Sequence, residues 1–270
     1  MPQEGLLWLR LTVDYPRKPG VLQDVLLEIK AGEIVGLVGQ SGCGKSTLAL
    51  AILKLLHLKR GRASGSILFQ GRDLMPLPER DMRRLRGKEI ALVLQSPMSA
   101  LNPALRIGTQ LAENWNVHRR GTGEERRENL LRALEDVSLP AEEEFLRRYP
   151  SQLSVGQAQR VLIAMAVMHR PALLIADEAT SALDLITQAE ILKLFAALNR
   201  KLGMSILFIS HDLLSVSTIS HSVAVMDQGR ILECGKTAEI FSSPHDPYTQ
   251  QLIRALPVAP VFAAKATSAR

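Results

Sequence analysis

The sequence predicts an α/β fold: a mainly parallel sheet with helices on both faces and a helical lobe inserted into it. Three observations carry this prediction. Apolar strands alternate with helical segments near both ends of the chain. A glycine-rich loop at 39–47 joins a short apolar strand to an apolar helix. From about Pro97 to Gln157 strand signals vanish and helical periodicity takes over.

In chain order, 6–13 and 21–29 read as strands, separated by the turn-rich Pro16-Arg17-Lys18-Pro19-Gly20. Ile34 to Val38 is a buried strand, and Leu48 to Leu53 an apolar helix. Gly65 to Phe69 and Ile90 to Leu94 are further short strands, with a short polar helix at Leu77 to Arg86 between them. Helical periodicity then runs through Arg106 to His118, Glu124 to Val137 and Glu142 to Tyr149, punctuated by Gly121-Thr122-Gly123 and Leu139-Pro140. A long apolar helix after Gln157 leads back to a strand at Ala172 to Ala176. The next helix carries Ile191, Leu194, Phe195, Leu198 and Leu202 on one face. A strand at Ser205 to Ile209, a short helix from Asp212, and strands at Ser222 to Met226 and Ile231 to Glu233 complete the alternation. The expected organisation is an α/β core from 1–96 and 170–243, a helical subdomain at 97–169, and a C-terminal helical element at 244–257. Residues 258–270, rich in Ala, are expected to be a frayed or disordered tail.

Composition narrows the function classes. With 270 residues and 46% hydrophobic content the chain can bury a substantial core. No apolar run approaches the length of a membrane span, and the N-terminus lacks a secretory signal pattern, so a protein that neither spans a membrane nor is exported is expected. Two cysteines, one inside the glycine-rich loop, make no disulfide framework and suit a reducing compartment. The net charge of +6 raises the question of nucleic acid. Arginine clusters such as Arg119-Arg120 and Arg126-Arg127 lie beside acidic residues, and aromatics are only 4%, too few for a stacking platform. Solvated helix faces are the expectation, and no nucleic-acid partner.

Gly39-Gln40-Ser41-Gly42-Cys43-Gly44-Lys45-Ser46-Thr47 fits the phosphate-binding loop, two glycines with four residues between them followed by Lys and Ser. Its glycines let the backbone wrap an anion, so that N–H groups and the helix start point at phosphate oxygens. Lys45 is placed to reach the β- and γ-phosphates and the Ser46 hydroxyl to hold Mg²⁺. Leu173-Leu174-Ile175-Ala176-Asp177-Glu178 is an apolar strand ending in two carboxylates, and ligands of such sheets sit at strand carboxyl ends. Asp177 suits Mg²⁺, and Glu178 suits a general base that polarises the attacking water.

With these motifs in place the chain resembles an ATP-binding subunit of an ABC transporter, and the likeness runs along nearly its whole length. That likeness implies a P-loop ATPase with a mixed sheet, an antiparallel β subdomain and the helical insertion. Tyr15 matches the aromatic that stacks on adenine, although a lone tyrosine more often serves packing. Gln95 matches the glutamine that ligates Mg²⁺ and senses the membrane subunits. Leu153-Ser154-Val155-Gly156-Gln157 resembles the signature, whose Ser154, Gly156 and Gln157 would serve ATP held by a partner subunit. Ser181-Ala182-Leu183-Asp184 resembles the loop, ending in Asp184, that links the two sites of a dimer, and His211 resembles the switch histidine at the γ-phosphate. The family usually has Gly at the Val155 position, where a β-branched residue adds bulk and stiffness, and Pro at the Ala179 position.

Three stretches resemble the peptide/nickel importer branch: Gln95 to Pro103, Thr187 to Leu192, and Ser243 to Leu252 with its Pro247-Tyr248-Thr249. What this likeness implies is an ATPase at the cytoplasmic face of the inner membrane, working with ATP and Mg²⁺. Its partners would be a second ABC ATPase subunit, a different paralogue or a homodimer in isolation, and two membrane permease subunits. An extracytoplasmic substrate-binding protein would be an indirect partner. Some relatives carry an iron–sulfur centre near this end; with Cys234 alone nearby, none is expected here. Two alternatives stay open at this level: a soluble ABC ATPase of translation or DNA repair, and a weakly hydrolysing structural subunit.

Overall fold

The structure, a computed structural model, describes residues 5–256. It forms two compact units, one comprising the chain up to Met82 and again from Ser205, the other Arg83–Met204. The expected tail at 258–270 and the final residue of the 244–257 element lie outside the described residues.

The first unit opens with β1 (Gly5–Tyr15) and β2 (Lys18–Lys30), an antiparallel hairpin. The turn is tighter than the five residues read from sequence. Asp14 Oδ1 accepts the Gly20 N–H at 2.6 Å, and Tyr15 pairs with Lys18, which draws residues 18–20 into β2. β3 (Ile34–Val38) follows, then α1 (Lys45–Ile52), β4 (Arg62–Phe69) and β5 (Arg72–Asp73). Together β2, β1, β4 and β5 form a four-stranded antiparallel sheet. Leu7, Leu9, Leu11 and Val13 alternate along β1 and are almost fully buried. Each such side chain contributes about 1.5–3 kcal/mol relative to exposure. α2 (Glu79–Leu85) lies across the boundary between the two units.

The second unit contains β6 (Ile90–Val93), α3 (Pro97–Ala100), α4 (Ile107–His118), α5 (Gly123–Asp136), α6 (Glu143–Leu146), α7 (Val155–Val167), β7 (Leu173–Asp177) and α8 (Leu185–Leu202). The stretch expected to be helical, 97–169, falls within it together with β6, β7 and α8. Caps explain the helix starts. Thr122 accepts the Glu125 N–H while Glu125 accepts the Thr122 N–H, a reciprocal box that opens α5. Asp184 opens α8, and Gly203 at φ 67° closes it. α6 stops short of Tyr149 because Pro150 holds that residue extended, at φ −96° and ψ 158°. β6 and β7 run parallel, with Val93 opposite Ala176.

Returning to the first unit, the chain adds β8 (Ser205–Ser210), α9 (Leu213–Ile219), β9 (Ser222–Asp227), β10 (Arg230–Lys236), α10 (Thr237–Ser242) and α11 (Pro247–Arg254). β3 is flanked by β8 and β9, both parallel to it, and β10 pairs antiparallel with β9. Every residue of β3 and β8 is buried, as expected of central parallel strands covered on both faces. The sheet is therefore mixed and mainly parallel around β3, as its sequence pattern predicts.

Candidate functional site

The first unit builds a phosphate cradle at the carboxyl end of β3. Gly39 to Gly44 leave the strand as a loop and α1 starts at Lys45, three residues before the apolar pattern alone indicates. Gly44 is the N-cap, at φ 119°, a conformation that disfavours a side chain. With no side chain capping α1, its first N–H groups can serve an anion. Lys45 is buried, and its ammonium donates to the carbonyls of Gly39 at 2.8 Å and Gln40 at 2.9 Å, so its charge is curled over the loop. Ser41, Gly42 and Ser46 are exposed, Thr47 is half-buried and Cys43 is buried. Burial pushes the Cys43 thiol above its ordinary pKa, and the Lys45 charge opposes that rise only in part. The thiol therefore stays neutral and leaves the cradle's positive charge intact.

Strand register assembles the rest of this end. Val38 pairs with Ser210 on β8 and with Val225 on β9, so Gly39 and His211, which follow β3 and β8, and Asp227, the last residue of β9, lie at the ends of three adjacent strands. His211 is exposed there, beside Asp212, whose carboxylate caps α9 through the N–H groups of Leu214 and Ser215. The hairpin turn after β9 is a part of the site that sequence reasoning missed. Gly229 N–H donates to the Cys43 carbonyl at 2.9 Å, and a Cβ on Gly229 would stand 2.4 Å from the Val21 carbonyl oxygen. Only a glycine lets this turn approach the loop so closely. An open cavity of ≈ 450 Å³ lies here, lined by Gln40 to Cys43, Gly20, Val21 and Asp227 to Gly229. The sequence signal was the Asp227-Gln228-Gly229 turn itself, which marks a hairpin but not its neighbour.

Tyr15 lies apart from that cavity. It is half-buried and lines a second opening with Asp14, Pro16, Arg60 and Arg62, where Gly61 lets its ring pack close against the backbone.

In the second unit, the ends of β6 and β7 place Gln95 and the carboxylate pair on neighbouring strands. Val93 pairs with Ala176, so Asp177, the last residue of β7, and Gln95, two residues past the end of β6, lie at adjacent strand ends. Gln95 is exposed; Asp177 and Glu178 are half-buried. Glu178 has φ 50°, a left-handed conformation that costs a non-glycine residue about 1–3 kcal/mol. Its carbonyl accepts both the N–H and the hydroxyl of Ser181, at 3.1 and 3.0 Å, and these bonds hold the strained turn.

The signature and the Asp184 loop are also brought together within this unit. Ser154 caps α7, accepting the Gln157 N–H at 3.2 Å, while Gln157 Oε1 accepts the Ser154 N–H at 3.1 Å. Asp184 accepts from the N–H of Ile186 and of Thr187 and from the Thr187 hydroxyl, and these bonds hold its carboxyl below the usual carboxylate range. Thr187 lies over Gly156, its methyl 2.7 Å from where a Cβ on Gly156 would stand. Val155 is 44% exposed, and Leu185 and Ile186 are 83% and 76% exposed, an apolar edge around two helix starts.

The sequence profile of the ABC transporter family matches residues 22–181. The chain belongs to the ABC transporter family. Its relatives include the dipeptide transport ATP-binding protein DppD of Escherichia coli, 43% identical over 85% of this chain and 70% of that protein. The oligopeptide transport ATP-binding protein OppD of Bacillus subtilis is 42% identical over 87% of this chain and 66% of its own length. A peptidoglycan transport ATP-binding protein, YejF of Agrobacterium fabrum, is 46% identical over 86% of this chain, which spans 43% of that protein. Among solved structures, cbiO1 of Clostridium perfringens, part of an ABC transporter complex, superposes with a TM-score of 0.78 at 27% identity, covering 94% of this chain and 96% of that one. The ATP-binding cassette MJ0796, a dimer bound to ADP and phosphate, superposes with a TM-score of 0.72 at 28% identity, covering 86% of this chain and 98% of that one. This ABC chain therefore has the fold of an ATP-binding cassette, and no helix among its described residues is long and apolar enough to cross a membrane.

Proposed function

We propose that this chain is the ATP-hydrolysing subunit of an ABC importer that powers uptake of peptides, or of nickel or related small solutes, through separate membrane subunits. The single observation that carries the reading is the start of α1: an uncapped helix end behind a glycine loop, with the Lys45 ammonium held over it. The importer assignment draws on relatives named for dipeptide and oligopeptide transport.

The reaction is phosphoryl transfer to water, driven by positioning and electrostatics. N–H groups of Ser41 to Thr47 and the Lys45 ammonium hold the triphosphate, and His211 holds the γ-phosphate. Tyr15 offers its ring to adenine. Glu178 takes the proton of the attacking water, its turn held by Ser181. Ser46, Gln95 and Asp177 are the residues to hold Mg²⁺, which when bound neutralises charge developing on the phosphates. Ser154, Gly156 and Gln157 of one subunit close over ATP bound by another, with Asp184 linking the paired sites. The chain sits at the cytoplasmic face of the inner membrane, attached through two membrane subunits and served indirectly by an external binding protein. In this reading the helical lobe at 97–169 and Gln95 pass closure to the membrane subunits. The test is the ATPase rate of the purified chain with and without its membrane subunits. The reading expects low basal hydrolysis that rises in the complex; equal rates in both would instead favour a soluble ATPase.

A second reading, a slow composite site, is favoured by Val155 alone. Its side chain is exposed at the first turn of α7, at the position where the resemblance implies that the family usually has Gly. Val155→Gly is expected to raise turnover of the assembled complex several-fold, within the range of a residue-sized contact change of about 1 kcal/mol. Unchanged turnover would show that Val155 does not limit the site.

A further inference from the structure

The pairing of β2 with β1 is interrupted just past the phosphate loop. Leu11 pairs with Val25 and Val13 with Leu22, so β2 runs one residue longer than β1 between these pairs. The extra residue makes a β-bulge at Gln23-Asp24. Asp24 holds φ 49°, a left-handed conformation that a non-glycine residue adopts only when its surroundings impose it. Its N–H donates to the Thr12 hydroxyl at 3.1 Å, and its carboxylate accepts Arg10 Nε and Nη2, both at 2.7 Å. A bulge held in this way re-aims the side chain beside it.

Here the side chain is Gln23, and it reaches across to the turn between β9 and β10. Its Nε2 donates to the carbonyls of Gly20 at 3.2 Å and Gln228 at 3.4 Å. Its Oε1 accepts Arg230 Nε at 3.1 Å and Nη2 at 2.7 Å. Arginine can only donate, so these two bonds fix which end of the amide faces which partner. The main chain adds a further tie, from the Gln23 N–H to the Gly229 carbonyl at 2.8 Å. Gly229 is the residue that donates to the Cys43 carbonyl of the phosphate loop. The loop also rests on β2 directly: a Cβ on Gly44 would stand 2.6 Å from Leu22 Cδ2 and 3.1 Å from the Val21 carbonyl oxygen. Gln23 and the turn it grips line the same cavity as Gln40 to Cys43, whereas Tyr15 lines a separate opening.

We propose that Gln23 is a positioning residue for nucleotide binding: its amide clasps the β9–β10 turn to β2 and so fixes the phosphate loop relative to the β1–β2 hairpin that carries Tyr15. The inference rests on the nucleotide-binding role proposed above, in which the loop takes the phosphates and Tyr15 the base. One ligand must then touch both segments at once, so its affinity depends on how well their separation is set beforehand. Removing the Gln23 side chain leaves the main-chain bonds of Gly229 in place, and the loop keeps its shape. What is lost is the grip on Gly20, Gln228 and Arg230, which holds the hairpin at a fixed distance from the loop.

The test uses the full chain and the displacement of a fluorescent ADP analogue by unlabelled ADP or inorganic pyrophosphate. ADP reaches from base to phosphates, whereas pyrophosphate engages the loop alone. Gln23→Ala is expected to weaken ADP about 3–10-fold, the effect of one or two ordinary hydrogen bonds, and pyrophosphate by less than about twofold. Arg230→Ala removes the donors to Gln23 Oε1 and is expected to shift ADP in the same direction by a smaller factor. The double variant is expected to bind ADP no more weakly than Gln23→Ala, because the arginine acts through the amide. In the assembled complex, Gln23→Ala should raise KM for ATP and leave kcat within about twofold of the parent. Equal losses for ADP and pyrophosphate, a fall confined to kcat, or additive effects in the double variant would overturn the proposal. Arg230 is exposed, so should Gln23→Ala fail to fold, Arg230→Ala decides by the same ratio of ADP loss to pyrophosphate loss. If the parent itself binds no ADP, the nucleotide reading falls first and the Gln23 role with it; if the parent binds and Gln23→Ala binds equally, only the Gln23 role falls.

Discussion

Glu178→Gln is expected to bind ATP as tightly as the parent chain and to hydrolyse it at least about 100-fold more slowly, the lower end of what a positioned general base supplies. The substitution keeps the size and hydrogen-bonding reach of the side chain and removes its basicity. The backbone gives a reason to single out this residue. Glu178 holds φ 50°, and its carbonyl is tied by both the N–H and the hydroxyl of Ser181, so the turn is held in a conformation it would not choose alone. An amide at this position inherits that placement, and the loss should therefore fall on kcat. Measured as ATP retained per subunit and phosphate released per minute in the assembled complex, the expected pattern is full occupancy with little release. Hydrolysis at the parent rate would remove Glu178 from the role of base. Asp177 would then be the carboxylate to examine.

Lys45→Ala is expected to lose about 10–100-fold in nucleotide affinity and nearly all hydrolysis, since hydrogen bonds from a charged donor contribute about 1.5–3 kcal/mol each. The structure adds a second cost. Lys45 is 4% exposed and its ammonium satisfies the Gly39 and Gln40 carbonyls, so alanine leaves those acceptors to find water or distort the loop. Isothermal titration with ADP separates this from unfolding, provided thermal denaturation shows the variant still folded. Affinity within twofold of the parent would mean that the loop does not hold the phosphates through this lysine.

Much of the architecture was legible because it depends on neighbours in the chain. The apolar runs at 34–38 and 206–209 announce buried parallel strands, and β3 and β8 are buried at every position. Asp212 caps the short helix that the sequence starts there, its carboxylate accepting the N–H groups of Leu214 and Ser215. The ends of elements were less legible. The first hairpin is tighter than its five turn-forming residues imply, because Asp14 captures the Gly20 N–H. α1 starts at Lys45 because its first turn carries the loop's polar residues, so apolar periodicity begins only at Leu48. α6 does not reach Tyr149, which Pro150 holds extended.

Short-range physics therefore determined, from the sequence alone, that a phosphate loop lies between a buried strand and a helix. It also determined that a carboxylate pair ends another strand. The tertiary structure alone decided what stands against these groups: the Gly229 turn donating to Cys43, and Thr187 lying over Gly156. The physical reason is that caps, turns and periodic faces are set by residues a few positions apart. Contacts across the sheet arise only once strand register has brought distant segments to the same edge, and no local pattern encodes that meeting.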